Sequence, residues 1–327
     1  MRTMVAGGAG FVGGHLCRRL IDDGHEVICV DNLITGARTN IEPLLEHPRF
    51  KFEHVDVAES PMVPVDVVLH LASPASPVDY DRLPLETLHA NSTGTSRLLE
   101  VAQDAAASLV YVSTSEVYGD PLVHPQREDY WGNVDPVGPR SCYDEAKRFG
   151  EALVTSWRAV HGVRAAIVRV FNTYGPGMRM DDGRAVPELI AAALDGRPLT
   201  LHGDGLQTRS FMFVSDLVDG LMTVASDPDL DGQILNIGNP QEVTIADIAE
   251  RIVAATGSRS LIVRGPARVG DPQRRKPDIG RMVARYGWQP VISLDVGLQR
   301  TIAHVARASG TTKSGTGQIE PVPLGTT

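Results

Sequence analysis

Tyr143 and Lys147 are four residues apart in the segment YDEAK, a spacing that places both side chains on one face of a helix. A lysine ammonium favours tyrosinate and so lowers the pKa of a neighbouring tyrosine hydroxyl. Tyrosinate can then remove the proton of a substrate hydroxyl while a hydride leaves the same carbon. The same spacing also occurs on solvated helix faces, so the surroundings must decide between the two interpretations.

A second polar group lies about thirty residues upstream, where the apolar run Leu109–Ser113 predicts a buried strand. Thr114, Ser115 and Glu116 follow directly. At such a strand end Thr114 is expected to hydrogen-bond a substrate hydroxyl or Tyr143. Glu116 is either a solvated acid or a group that faces a substrate, and the residues alone leave both open.

A glycine-rich turn, Gly7 to Gly13, follows the first predicted strand and opens the first predicted helix. Glycines at 7, 10 and 13 allow a tight turn, close approach of a pyrophosphate, and close packing of helix on sheet. The N-terminus of the helix offers free N–H groups to the anion. Asp31 closes the second predicted strand, where its carboxylate would accept ribose hydroxyls and repel a 2′-phosphate. The pattern therefore predicts NAD rather than NADP.

Two later strand ends belong to the same predicted site. Asp56 ends the third strand, where it either meets the adenine amino group or caps a helix. Leu71, Ala72 and Ser73 end the fourth, where a backbone run would pass beside the cofactor.

The elements that must position these residues alternate along the first half of the chain. Predicted strands are Thr3–Ala6, Glu26–Val30, Lys51–His54, Val67–Leu71, Leu109–Ser113 and Arg164–Val170, and predicted helices are His15–Asp23, Pro84–Ala105 and Ser141–His161. This alternation predicts an α/β protein, a Rossmann fold with a doubly wound parallel sheet.

The pattern loosens after Phe171, which predicts a smaller substrate lobe interleaved with the late strands of the large one. We expect helices at Val186–Leu194, Ile245–Thr256 and Leu294–Ala308, strands at Gln233–Ile237 and Ser260–Val263, a strand end that becomes a helix at Phe211–Val224, and loops at Gly175–Gly183 and Gly270–Asp278. The predicted domains are 1–172 with 211–239 for the dinucleotide and 173–210 with 240–308 for the substrate. The Gly/Ser/Thr/Pro-rich tail, 309–327, predicts disorder.

Composition and charge narrow the classes of function that this chain could have. The chain has 327 residues and a formal net charge of −9, which argues against a nucleic-acid binder because phosphate neutralisation needs a basic face. No apolar run is long enough for a transmembrane helix. The three cysteines, Cys17, Cys29 and Cys142, show neither a CxxC nor a metal-ligand spacing. We expect a cytoplasmic protein without a metal site or a membrane partner.

The glycine turn, Asp31, the STSE strand end and YDEAK together resemble the extended short-chain dehydrogenase/reductase family, over about residues 1–308. Longer segments are similar to the UDP-glucuronate decarboxylases within that family. These segments are HLASPASP, STSEVYGDPLVHPQREDYWGNVDPVGPRSCYDEAKR, RVFNTYGP, MDDGR, GLQTRSFMFVSDLVDG and DPQRRKPDI.

The resemblance implies a reaction on UDP-glucuronate with internal recycling of NAD. C4 of the sugar is oxidised, the resulting β-keto acid loses its carboxylate as CO₂, C5 is reprotonated and C4 is reduced, giving UDP-xylose. It also implies that Glu116 and Arg275 lie at the reacting sugar. An arginine there can hold the carboxylate and then stabilise the enolate oxygen. A glutamate can repel the departing carboxylate or position a water.

With the resemblance, the candidate residues fall into three sets. The catalytic set is Thr114, Glu116, Tyr143, Lys147 and Arg275. The cofactor set is Gly7, Gly10, Phe11, Val12, Gly13, Asp31, Asn32, Thr35, Asp56, Val57, Leu71, Ala72, Ser73, Tyr143, Lys147, Thr173 and Arg184. The substrate set is Ser115, Glu116, Asn172, Arg184, Arg209 and Arg275, with Arg209 expected at the diphosphate.

Several positions depart from the family pattern. His89 stands where lysine is usual, His202 where tyrosine is usual, and Arg179 where the arginine of a GPRMHM-like segment has shifted; Pro61-Met62 also replaces a more family-like pair. These departures are expected to affect how the uronate sugar and the nucleotide base are bound. A 4-epimerase or a 4,6-dehydratase shares the cofactor site, and a non-catalytic NAD-sensing protein shares the fold. Relatives commonly dimerise beside the YxxxK helix, where Leu85, Leu88, Leu98, Leu99 and Val154 would serve either an interface or the core.

Overall fold

The apolar runs of the sequence form short strands, as expected where β-branched residues pack on a pleated surface. A computed structural model describes residues 1–267 and 274–308. In chain order the strands are β1 (Arg2–Ala6), β2 (Glu26–Val30), β3 (Phe50–Glu53), β4 (Val67–His70), β5 (Ser108–Thr114), β6 (Ala165–Val170), β7 (Thr173–Tyr174), β8 (Leu199–His202), β9 (Thr208–Ser210), β10 (Met212–Phe213), β11 (Ile234–Ile237), β12 (Glu242–Thr244), β13 (Ile262–Gly265) and β14 (Arg274–Arg275).

Seven of the described strands form one sheet in the order β11-β6-β5-β4-β1-β2-β3, and each neighbouring pair is parallel. The chain winds outward from β1 to β3 and then in the opposite direction from β4 to β11. The predicted Rossmann fold with a doubly wound sheet is therefore confirmed. Its switch point lies between β1 and β4, where ligands bind in sheets of this kind.

Helices cover both faces of this sheet. The described helices are α1 (Phe11–Asp22), α2 (Pro77–Arg82), α3 (Pro84–Asn91), α4 (Thr93–Asp104), α5 (Ser141–His161), α6 (Ala185–Leu194), α7 (Val214–Ala225), α8 (Ile245–Thr256), α9 (Gly280–Tyr286) and α10 (Leu294–Ala308). Of these, α6, α8 and α10 pack on one another and on the smaller strands instead. Alternate side chains of β1 enter different cores: Met4 and Ala6 pack with α4 and α5, and Val5 packs with α1 and α7. The sheet is thus buried on both faces.

The predicted single helix Pro84–Ala105 is wrong, because the structure divides it into α3 and α4 at Ser92. Ser92 has φ −108° and ψ −83°, and its hydroxyl donates to the carbonyl of Leu88 at 2.7 Å. A serine that bonds back to the preceding turn competes with the regular helix.

The smaller strands pair outside the main sheet, in the orders β12-β9-β14, β13-β8 and β10-β7. Of these, the sequence did not predict β7, β8, β9, β12 or β14. Within the predicted loop Gly270–Asp278, Arg274–Arg275 form β14 and pair in parallel with Thr208–Arg209, while residues 270–273 lie outside the described residues, as does the tail 309–327. None of the described helices combines the length and apolarity needed to cross a membrane.

The apolar residues near the YxxxK helix divide clearly by burial. Leu98, Leu99 and Val154 belong to the core, whereas Leu85 and Leu88 are exposed. Leu98→Ala should therefore lower the free energy of unfolding by about 2–5 kcal/mol through lost burial and a residual cavity. Urea denaturation measures this change. Val137→Ala, at an exposed loop position, is the matched control and should change it by less than about 0.5 kcal/mol; equal effects would contradict the packing described.

Candidate active site

Two cavities open at the carboxyl ends of the central strands, one of about 310 Å³ and one of about 280 Å³. Leu71 and Ser73, just after β4, line both, so the cavities form one cleft across the switch point. Every candidate site residue except Gly13 lines one of the two cavities. The parallel sheet explains this clustering, because the carboxyl ends of its strands meet at one edge.

The glycine-rich turn lies between β1 and α1. Gly7 has φ +80°, in the left-handed region, and a Cβ there would lie 2.6 Å from the backbone nitrogen of Ala72. A Cβ on Gly13 would lie 2.1 Å from the carbonyl oxygen of Gly7, so only glycine lets α1 pack this closely. Among the described residues no side chain caps α1 at Gly10, which leaves its first N–H groups for an anion. The turn therefore fits a dinucleotide pyrophosphate.

Asp31 follows β2 in the wall of the smaller cavity and is buried. Its two carboxylate oxygens accept hydrogen bonds from the N–H groups of Ala9 at 3.0 Å and Leu33 at 2.8 Å. Burial raises the pKa of Asp31, and these two hydrogen bonds oppose the rise. Each oxygen keeps a further lone pair, with which it can accept a ribose hydroxyl.

Asp56 is the N-cap of a short 3₁₀ helix, Val57–Glu59, and accepts the N–H of Ala58 at 2.9 Å. Its other oxygen accepts the side-chain amide of Asn32 at 2.8 Å. The capping interpretation is therefore confirmed, while the contact with adenine stays a prediction. His89 lines the same cavity with its Nε2 3.6 Å from Asp56 Oδ1, so this departure from the family pattern lies beside the predicted adenine position.

Asn91, a residue that the sequence did not single out, supports the fourth strand end from α3. Its Nδ2 donates to Ser73 Oγ at 2.9 Å, and its Oδ1 accepts the Tyr111 hydroxyl at 3.0 Å. A buried asparagine needs such partners. No local pattern marked it, because both partners are distant in sequence.

Tyr143 and Lys147 lie on the inward face of α5 and line the larger cavity, both buried. The Tyr143 ring stacks on Tyr80 with centroids 5.1 Å apart and an interplanar angle of 10°. Lys147 Nζ donates to the carbonyl of Val112 at 3.0 Å. The alternative of a solvated helix face is therefore wrong; the catalytic role stays a prediction.

Burial acts on both groups of this pair. It raises the pKa of Tyr143 to about 12, although a hydrogen bond with the Thr114 side chain opposes the rise. It lowers the pKa of Lys147 to about 7. In each case a low-dielectric site disfavours the charged form, so tyrosinate and ammonium are most stable when they form together.

Glu116 lies between two arginines in the larger cavity. Arg275 donates from Nη1 to Oε1, and Arg140 donates from Nη2 to Oε2. Burial raises the pKa of Glu116, but the two guanidinium groups outweigh burial and hold it below its usual value. We call this arrangement of Arg140, Glu116 and Arg275 the Glu116 clamp. The interpretation of Glu116 as a solvated acid is excluded.

Arg140 was missed by the sequence reasoning. It is the N-cap residue of α5 and lines the larger cavity. Its position three residues before Tyr143 is the signal that could have found it, since residues at that spacing share a helix face. Ser115, from the substrate set, is buried at the start of the 3₁₀ helix Ser115–Tyr118 and lines the same cavity.

Asp144 lies behind the clamp on α5. Its Oδ2 is 3.8 Å from Nε of Arg140, and its buried Oδ1 has no hydrogen-bond partner among the described residues. Burial, together with the nearby Glu116 carboxylate, raises the pKa of Asp144 to about 7. Asp144 therefore favours its neutral form around and below neutral pH.

The remaining candidates line the far side of the larger cavity: Asn172, Thr173, Arg184 and Arg209. Thr173 donates its hydroxyl to the carbonyl of Phe171 at 3.0 Å. Nε of Arg184 pairs with Asp182 at 2.8 Å, and Nη1 of the buried Arg209 donates to the carbonyl of Thr208 at 2.8 Å. Their contacts with substrate or cofactor stay predictions.

His202 and Arg179, which also depart from the family pattern, lie in different parts of the structure. His202 lines the larger cavity. Arg179 instead ties the loop before α6 to α2, with Nη1 at 3.0 and 3.2 Å from the two carboxylate oxygens of Asp79. Arg179 therefore supports the cavity wall through α2, whose Tyr80 lines the cavity.

Taken together, the sheet and the cleft define a dinucleotide-binding Rossmann protein with a tyrosine–lysine pair at the inner end of the cleft. The chain belongs to the NAD dependent epimerase/dehydratase family, which matches residues 3–238. This match confirms the resemblance drawn from the motifs.

Curated relatives within the family are similar over most of this chain and share one enzyme name. UDP-glucuronic acid decarboxylase 1 of Danio rerio is 47% identical over 306 residues, which cover 94% of this chain and 73% of the relative. UDP-glucuronic acid decarboxylase 5 of Arabidopsis thaliana is 46% identical over 299 residues, covering 91% of this chain and 87% of the relative. Each similarity covers at least 91% of this chain.

Solved structures share the fold at lower identity. UDP-glucuronic acid 4-epimerase from Bacillus cereus, in complex with UDP-glucuronic acid and NAD, has a TM-score of 0.86 and 28% identity, covering 94% of this chain and 100% of that one. A dTDP-glucose 4,6-dehydratase from Streptomyces venezuelae with NAD bound has a TM-score of 0.86 and 28% identity, covering 95% and 98%. Proteins with this fold thus catalyse several different reactions, and the residues of the site must determine which one this chain catalyses.

Asp144→Asn tests the electrostatics behind the clamp. Because the folded-state pKa of Asp144 is raised from 3.8 to about 7, its contribution to stability is full below pH 3.8 and is lost as the pH rises to about 7. Asparagine does not titrate, so the variant keeps this stability. Its free energy of unfolding should therefore exceed that of wild type increasingly between pH 3.8 and about 7. A pKa shift of one unit corresponds to about 1.4 kcal/mol, so the difference should reach up to a few kcal/mol. Urea denaturation at several pH values measures the gain.

Asp104→Asn, at an exposed position on α4, is the control and should show no such trend. A constant difference between Asp144→Asn and wild type from pH 4 to 7 would contradict the description of Asp144.

Proposed function

We propose that this chain converts UDP-glucuronate to UDP-xylose and CO₂ through a UDP-4-keto intermediate, with NAD as its cofactor. Relatives named UDP-glucuronic acid decarboxylase, at 44–47% identity over at least 91% of the chain, support the reaction. Residues of the site support it independently.

The Glu116 clamp is the observation on which the proposal depends. Two guanidinium groups face one carboxylate in a buried site, and Asp144 behind them favours its neutral form up to about pH 7. The clamp therefore presents two guanidinium groups to the cavity. Guanidinium groups bind a sugar C6 carboxylate through charge-assisted hydrogen bonds, and a neutral hexose offers no such charge.

NAD, held by the glycine turn and Asp31, would accept a hydride from C4 of the sugar and return it after CO₂ has left. Tyr143 takes the proton of the C4 hydroxyl at its phenolate oxygen, and Thr114, which hydrogen-bonds Tyr143, orients both groups. Lys147 stabilises the phenolate by its charge. The same tyrosine then returns the proton to the C4 oxygen in the final reduction.

Decarboxylation uses the clamp. Once C4 is a ketone, cleavage of the C5–C6 bond leaves the electron pair on the C4 oxygen as an enolate, and a guanidinium stabilises that charge. Because the arginines hold Glu116 ionised, we assign it the repulsion of the departing carboxylate and the orientation of a water, rather than storage of the proton that C5 receives.

The other side chains bind the rest of the substrate. We propose that Arg209 pairs with the diphosphate through its planar fork, and that Asn172 and Arg184 contact the sugar and the cofactor at the boundary of the two cavities. With these roles, residues 1–172 and 211–239 form the dinucleotide domain, and residues 173–210 and 240–308 form the nucleotide-sugar lobe.

Incubation of the protein with UDP-glucuronate, followed by mass spectrometry, should yield CO₂ and a UDP-pentose. UDP-galacturonate without CO₂ would instead identify a 4-epimerase acting on the same substrate. The absence of turnover on any nucleotide sugar would favour the NAD-sensing alternative.

Two substitutions assign the roles within that assay. Tyr143→Phe should abolish turnover, because no phenolate can form, while NAD binding changes little. Glu116→Gln should slow turnover by about 10²–10³-fold, the scale seen on removal of one electrostatic catalytic group, with the fold preserved by circular dichroism. Wild-type rates in either variant would remove that residue from the mechanism.

We also propose a homodimer in the cytoplasm. The cytoplasmic location is supported by the three cysteines, which are all free. The dimer is supported by exposed apolar side chains on α3 and α5, helices that pack against each other: Leu85, Leu88 and Phe149. Phe149→Glu should reduce the mass measured by light scattering from two chains to one, and Val137→Glu, in an exposed loop, should not; two chains in both variants would place the interface elsewhere.

A further inference from the structure

Helix α5 packs unusually closely on β5 behind the tyrosine–lysine pair. A Cβ at Gly150 would lie 2.1 Å from the hydroxyl oxygen of Tyr111, so only glycine fits there. Lys147 Nζ lies 5.0 Å from the centroid of the Tyr111 ring and donates to the carbonyl of Val112 at 3.0 Å. The contacts of Lys147 are thus fixed by the register of α5 against β5.

Glu151, one helical turn after Lys147, extends this contact by one residue along the strand. Its Oε1 accepts the hydroxyl of Ser113 at 2.6 Å, and Ser113 directly precedes Thr114. Arg169 on β6 donates to both carboxylate oxygens, from Nε at 2.9 Å and from Nη2 at 2.7 Å. The side chains of Glu151 and Arg169 are only 12% and 11% exposed. One carboxylate therefore joins α5 to two adjacent strands at the level of the reacting groups.

Arg169 is itself fixed, so Glu151 has little freedom to move. Nη1 of Arg169 donates to the hydroxyl of Tyr118 and to the carbonyl of Glu128, both at 3.0 Å. Its guanidinium also lies 5.0 Å from the centroid of the Tyr118 ring. Such a network holds α5 in one position relative to the sheet.

Glu151 also supplies the negative charge near Lys147. His70 from β4, Tyr111 from β5 and Glu151 from α5 lie near Lys147. The charges of Glu116, Asp144 and Arg184 act on Tyr143. Burial and the Lys147 charge lower the pKa of His70 to about 3, so it is neutral. Burial lowers the pKa of Lys147 to about 7, and the Glu151 carboxylate opposes this effect.

We propose that Glu151 is a positioning residue: through Ser113 it sets the register of α5 against the Thr114 strand end, and through its charge it stabilises the Lys147 ammonium beside Tyr143. Glu151 lines neither cavity, so it acts through Lys147 and Tyr143 rather than on the substrate. The effect on turnover rests on the proposed function, whereas the effect on the protonation of Lys147 does not.

Glu151→Gln removes the charge at nearly constant shape, and its effect should depend on pH. Lys147 loses its proton as the pH rises through its folded-state pKa, and that pKa falls further without Glu151. We expect kcat to fall by about tenfold or more at pH 8 and less at pH 6, within the usual range for perturbed general-base catalysis. KM for UDP-glucuronate should stay within about twofold, since no substrate contact changes.

A second variant separates this role from a merely structural one. Glu151→Gln leaves the Arg169 charge buried without its partner, which is destabilising in itself. The double variant Glu151→Gln/Arg169→Gln removes both charges and should recover much of the thermal stability while keeping the reduced, pH-shifted kcat. A wild-type pH profile in the double variant would overturn the proposal. Glu100→Gln, at an exposed position on α4, is the control and should match wild type.

A titration that needs no turnover tests the role of Glu151 separately from the proposed decarboxylation. Carbon-13 NMR titration of the lysine ε-methylene carbons in the NAD-loaded protein, with Lys147→Met subtracted, follows the protonation of Lys147 alone. Glu151→Gln should lower the pH at which Lys147 loses its proton, because the carboxylate that opposes the effect of burial is gone. If wild type does not decarboxylate UDP-glucuronate but this shift is present, the proposed function fails and the role of Glu151 stands; an unchanged titration contradicts the role of Glu151.

Discussion

The pairing of Glu116 with Arg140 and Arg275 is the constraint on which the site depends. A buried charge that lacks its partner is strongly destabilising, so three distant segments must meet for these groups to be buried together. Glu116 follows β5, Arg140 caps α5, and Arg275 lies on β14. The clamp thus joins the main sheet, the helix with the tyrosine–lysine pair, and the strands β12-β9-β14, which pair outside the main sheet.

The rest of the cleft follows from the parallel sheet. Its strands end at one edge, which brings the glycine turn, Asp31 and the residues after β4 together in one cavity and the predicted catalytic residues together in another. The pair β9 and β14 then adds Arg209 and Arg275 from the opposite side. An oxidising cofactor and an acidic sugar can therefore meet at the shared wall, which explains how one small site combines redox chemistry with loss of CO₂.

Features governed by local sequence were predicted well. The helices Ser141–His161, Ile245–Thr256 and Leu294–Ala308 match their predicted bounds, because apolar periodicity marks them without knowledge of distant contacts. The glycine turn was predicted for the same reason, because the steric limits that require each glycine are visible in the local sequence motif. The break at Ser92 was missed because a single hydroxyl, rather than the periodicity, divides α3 from α4.

Features that depend on contacts between distant segments were not predictable from the sequence. Arg140, Asp144 and Asn91 acquire their surroundings only when strands and helices assemble, and the two- to four-residue strands β8, β9 and β14 are stabilised by partners far along the chain. The resemblance to known decarboxylases supplied Arg275. The burial that shifts the pKa values of Lys147, Tyr143 and Asp144 became visible only in the folded structure.

Substrate binding to the inactive Tyr143→Phe variant tests the central claim most directly, that the clamp recognises the sugar carboxylate. Calorimetry with the NAD-loaded variant should give a Kd for UDP-glucuronate at least about tenfold lower than for UDP-glucose, a difference of about 1.4 kcal/mol. Adding Arg275→Met should remove this preference. Equal affinities for the two nucleotide sugars before that substitution would contradict the account.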